Sequence, residues 1–110
     1  MAAKLYGADN APLKIQFITD PHYYSRKGGT EGKAYEKAEA KSQKVIKDSD
    51  LVIKAGFDLL CADTSTDIVV LAVDTTRDGE LASHAEFIEM LRDLKKRGKR
   101  VYVITATHDY

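Results

Sequence analysis

Ile68-Val69-Val70-Leu71-Ala72-Val73 is the stretch on which the reading of the fold turns. It is continuously apolar, rich in β-branched residues, and bounded by Asp67 and Asp74. A strand with one wet face would alternate. A run apolar at both parities reads as a strand buried on both faces, the pattern of a parallel sheet. Two further runs flank it. Leu13-Lys14-Ile15-Gln16-Phe17-Ile18 alternates, as a strand wet on one side or near an edge does, and Val101-Tyr102-Val103-Ile104 is short and apolar. The central run is the middle strand.

Helical patterns fill the gaps. Ser83 followed by Glu86 has the spacing of a capping box, and Phe87, Ile88, Leu91 and Leu94 form an apolar stripe. Lys95, Lys96 and Arg97 suit the last turn, with Gly98 beyond it, so a helix is predicted over 84–97. Ser49 or Asp50 caps a second helix that turns Leu51, Val52, Ala55, Leu59 and Leu60 to the sheet, weakened by Gly56. Gly28, Gly29 and Gly32 mark a loop, and the composition of 33–47 favours a third, largely solvated helix. The order β-α-α-β-α-β predicts a single α/β domain over 1–110. It would be a three-layer type of βαβαβ unit with a short parallel sheet and right-handed crossovers.

Composition narrows the function classes. With 110 residues the chain buries roughly two-thirds of its unfolded surface, enough for a core. The 17 Lys+Arg balance the 17 Asp+Glu, which removes the basic patch expected of nucleic-acid and anionic-membrane binders. One cysteine excludes an internal disulfide framework and points to the cytoplasm. No stretch approaches the ~20 apolar residues of a membrane span.

In parallel α/β sheets, ligands bind beyond the carboxyl ends of the strands. There the sequence places Asp20-Pro21-His22, then Asp74 with Arg77-Asp78-Gly79-Glu80, then Thr107-His108-Asp109. Adjacent parallel strands are about 4.8 Å apart, so the three loops converge. Carboxylates brought together without a cation repel one another, and mixed oxygen and nitrogen donors suit Mn²⁺, Fe or Zn²⁺. Taken singly, an Asp after a strand is an ordinary turn residue and a lone His an ordinary surface residue. Their joint placement carries the functional reading.

The three motifs IQFITDPH, DIVVLAVDTTRDGE and VYVITATHD resemble the N-terminal half of the calcineurin-like metallophosphoesterases. That family has Asp-x-His, Gly-Asp with a downstream Gly-Glu, and Gly-Asn-His-Asp after successive strands. The spacing is similar too, with His108 34 residues beyond Asp74, and the likeness spans 13–110. The resemblance implies that Asp20 and His22 ligate a divalent transition metal and that Asp74 bridges two. It makes Thr107 the counterpart of an Asn ligand. His108 would protonate the leaving oxygen, with Asp109 orienting it. The implied reaction is hydrolysis of a small phosphomonoester or phosphodiester, a cyclic nucleotide among them.

The departures are Val73 and Ala106 for two glycines, Thr107 for the asparagine, and the family's downstream histidine ligands. The expectation is therefore an N-terminal portion of such an enzyme, holding at most one ion and weakly active or inactive alone. The alternative is a non-catalytic, self-associating α/β module, and behind it a receiver-type phosphate- and Mg²⁺-binding domain. Self-association is expected because two crossovers in strand order 1-2-3 put both helices on one face of a sheet that is apolar on both.

Overall fold

The computed structural model describes residues 5–6, 12–42 and 46–110, the first pair by backbone alone. It is an α/β unit built on a parallel sheet of β3 (Ile15–Thr19), β4 (Ile68–Ala72) and β5 (Arg100–Ile104) in the order β3-β4-β5. A two-residue antiparallel pair, β1 (Leu5–Tyr6) and β2 (Pro12–Leu13), precedes it. The helices are α1 (Lys33–Lys41), α2 (Ser49–Ala62) and α3 (Leu81–Lys96). The run that nominated the central strand lies between the other two, as its two-sided apolar pattern demands. Among the described residues no helix is long and apolar enough to cross a membrane.

The core lies between the sheet and the α2–α3 pair. Val69 and Leu71 of β4 are fully buried, and Phe57 and Leu60 of α2 meet Phe87 and Leu94 of α3 over them. The Phe57 and Phe87 rings pack edge to face at 5.4 Å, close to the favoured aromatic geometry. The opposite parity of the sheet is different: Phe17, Tyr102 and Ile104 are each more than half exposed. The α/β unit with its short parallel sheet is thus as expected, and both crossover helices fall on one side of that sheet, as strand order 1-2-3 requires.

Several local expectations change. The stripe of α2 is rotated: Ile53, Phe57, Leu60 and Cys61 face the core, whereas Leu51, Val52 and Leu59 are exposed. The presence of Phe57 decides the rotation, since the largest ring gains most from burial. Its capping residues lie inside the helix, which is preceded by Asp48. Ser49 Oγ accepts from the Tyr24 amide at 2.8 Å and Asp50 Oδ2 pairs with Arg26 Nε at 2.9 Å.

Likewise α3 begins at Leu81 after Glu80, three residues before the expected start. Ser83 Oγ accepts from the Ser25 amide at 3.0 Å, and Glu86 accepts from Tyr23 Oη at 2.5 Å while pairing with Lys27 Nζ at 3.2 Å. The polar first turns of both helices thus pin the segment 23–27 instead of closing a capping box. Ile88 of α3 is also exposed rather than buried. The helix read over 33–47 is seen for 33–41, residues 43–45 lie outside the described ones, and Ile46–Lys47 is not helical.

Candidate functional site

The carboxyl ends of β3, β4 and β5 are tied by backbone hydrogen bonds that outlast the sheet. The His22 amide donates to Asp74 O at 3.0 Å, the Tyr23 amide to Thr75 O at 3.0 Å, and the Val73 amide to Ile104 O at 2.8 Å. These bonds bring the three sequence motifs to one place. Asp20, His22 and Asp74 each offer a donor atom within 4.8 Å of the others. His22 Nε2 is 3.9 Å from Asp20 Oδ1, while His22 Nδ1 is buried with no hydrogen-bond partner.

A buried imidazole nitrogen without a partner is costly, and a group of two carboxylates and an imidazole is the donor set of a first-row divalent ion. Asp20, His22 and Asp74 are thus residues that could hold a metal ion. Thr107, also expected as a ligand, is exposed on the 3₁₀ turn Thr107–Asp109.

The backbone around this group is unusual. Asp20, His22, Val73 and Asp74 all have positive φ, at 51°, 45°, 61° and 44°. In an L-residue this left-handed region costs roughly 1–2 kcal/mol, and most for a β-branched side chain such as Val73. Strain of this kind persists where the surroundings impose it, commonly at a functional site. At position 73 the strain comes from the branched Cβ, which a glycine would lack. The Val73→Gly protein is expected to be about 1 kcal/mol more stable, raising the melting temperature by several degrees in a scanning calorimeter. An unchanged or lower melting temperature would refute that reading of Val73.

His108 approaches the group from the third loop. Its ring lies edge-on to His22, centroids 5.4 Å apart, and its backbone amide donates to Asp74 Oδ1 at 3.1 Å. The partner on Nδ1 is Asp78 Oδ1 at 3.0 Å. A carboxylate only accepts, so Nδ1 carries a proton in this contact. Arg77 Nη1 holds the same carboxylate through Oδ2 at 3.2 Å.

The sequence reading gave the orienting role to Asp109, but its carboxylate is engaged elsewhere. Oδ1 accepts from Thr75 Oγ1 at 2.6 Å, Thr76 N at 2.8 Å and Thr76 Oγ1 at 3.1 Å; Oδ2 accepts from Ala106 N at 3.0 Å and Thr75 N at 3.2 Å. Burial works to raise its pKa, but these bonds prevail and hold it down at about 2. Asp109 is a clamp between the loops after β4 and β5. Asp78 was legible only as turn chemistry, because nothing local says that a residue in the second loop faces an imidazole in the third.

Asp20, His22, Asp74 and His108 are thus brought together, Asp109 locks the loops behind them, and Thr107 points to no role beyond its place on the turn. No family model matches this chain, and no curated protein matches it.

Proposed function

We propose that this chain is a metal-dependent phosphoesterase module of the calcineurin-like type, acting on a small phosphomonoester or phosphodiester. The observation that carries the proposal is the convergence of Asp20, His22 and Asp74 within 4.8 Å at the carboxyl ends of neighbouring parallel strands. The ordered motifs of the sequence support the same reading. So does the empty hydrogen-bonding capacity of His22 Nδ1. A cytoplasmic location belongs to this reading, in keeping with the free thiol of Cys61.

Asp20, His22 and Asp74 would hold one Mn²⁺, Fe or Zn²⁺ ion. A bound ion of this type supplies charge neutralisation at a phosphoryl oxygen and a more acidic water. The chain's own residues do the rest. The His108 amide fixes the Asp74 carboxylate by donating to Oδ1. Asp78 fixes the tautomer of His108, so that Nε2 is the nitrogen that exchanges a proton with a leaving oxygen. Arg77 and Asp109 hold these two elements in place from outside.

Calorimetric titration with Mn²⁺ and Zn²⁺, paired with hydrolysis of an aryl phosphodiester, tests the proposal. One ion bound per chain with metal-dependent turnover is the expected result. No binding would end it. Binding without turnover favours a second reading, a non-catalytic self-associating module, which the exposure of Phe17, Tyr102 and Ile104 on one sheet face supports.

A further inference from the structure

We infer that the uncovered face of the three-stranded sheet is where two copies of this chain pack, sheet against sheet, an inference that rests on the self-association reading. Register places Phe17, Val70 and Tyr102 in one row across β3, β4 and β5 on that face, with Ile104 next to the row. Phe17 is 55% exposed, Tyr102 54% and Ile104 56%, while Val69 and Leu71 on the other face are at 0%. Aromatic and β-branched side chains in a cross-strand row are what a sheet presents to a partner layer, not to water. The described helices do not supply that layer. Both α2 and α3 lie on the far side, and Tyr35 of α1 packs against Tyr24 at 6.2 Å.

Size and charge select the occupant. Three strands about 4.8 Å apart and five residues long make a rectangle of roughly 14 by 17 Å. With side-chain relief this is on the order of 500 Å² per copy, or about 1,000 Å² in a pair, near the lower limit for specific association. A second identical sheet matches that footprint at the ~10 Å spacing of packed sheets. Among the described strand residues the only charge on the face is Arg100, at the amino-terminal corner of β5, where its head reaches water. A single cation does not recruit a polyanion or an anionic membrane. The chain's 17 cations balance its 17 anions, so two copies meet without net repulsion. The pair is isologous and, given its area, reversible in the micromolar range.

Sedimentation equilibrium over a micromolar concentration series tests this. The expected result is a reversible species of twice the 12.2 kDa protomer mass. Phe17→Lys and Tyr102→Lys, both at exposed positions, should raise the dissociation constant about tenfold or more with unchanged circular dichroism. Leu59→Lys, on the exposed apolar side of α2, should leave it as it was. If Leu59→Lys weakens the dimer and the sheet-face variants do not, association runs through α2 and this inference is overturned while self-association stands. A 12.2 kDa monomer throughout would overturn both.

Discussion

Replacing Asp109 by asparagine is expected to cost about 2–4 kcal/mol of stability. The carboxylate receives five hydrogen bonds from Thr75, Thr76 and Ala106, three of them from backbone amides. An asparagine keeps one acceptor oxygen but turns an NH₂ toward donors that then have no acceptor in a buried site. Asp109→Ala leaves more of them unpaired and should cost at least as much. Urea unfolding at neutral pH measures this, and a loss below about 1 kcal/mol would show that the clamp contributes little.

The same group gives a pH dependence with a definite sign. Its folded pKa of about 2 lies below the unfolded value, so its contribution is fully present above the unfolded pKa and lost as pH falls through the folded one. The wild-type urea midpoint should hold above about pH 5 and drop between about pH 4 and 2. Asp63, held well below the carboxylate range by hydrogen bonds from Ser65, Thr66 and Lys14, acts in the same direction. Asp109→Asn should flatten part of this slope. An identical slope in the variant would assign the acid transition to other carboxylates.

The second large effect concerns the metal. Asp74→Asn is expected to weaken Mn²⁺ or Zn²⁺ binding by at least 100-fold, because it removes a charged oxygen ligand. Asp74 also accepts from the His108 amide, so the folded state must be checked by circular dichroism. A second variant, His22→Gln, separates ligand loss from loop disorder, since its backbone amide still reaches Asp74 O. Both variants should bind metal poorly while remaining folded. Unchanged affinity in both would remove Asp20, His22 and Asp74 from the role assigned to them. By contrast Asp78→Asn, outside the three-residue group, should leave metal affinity near wild type and shift the pH profile of any turnover, because the tautomer of His108 is no longer fixed.

The run Ile68–Val73, by itself, determined a parallel sheet with a central strand, since hydrophobicity at both parities has no other economical home. Spacing along the chain likewise determined that Asp20, His22, Asp74 and His108 follow strand ends, because the carboxyl ends of parallel neighbours share one edge. What depends on surroundings was decided only in the tertiary structure. Ser49, Asp50, Ser83 and Glu86 have the chemistry of helix caps, yet donors of segment 23–27 compete for the same oxygens and win: backbone amides at Ser49 and Ser83, side chains at Asp50 and Glu86. The α2 stripe was ambiguous because Leu51, Val52 and Leu59 are as apolar as Ile53 and Leu60; the meeting of Phe57 with Phe87 across 5.4 Å broke the tie. Asp78 and Asp109 exchanged roles for a similar reason. Hydrogen-bond partners 30 and 33 residues away are a property of how three loops close on one another, and no local pattern encodes a distance of that kind.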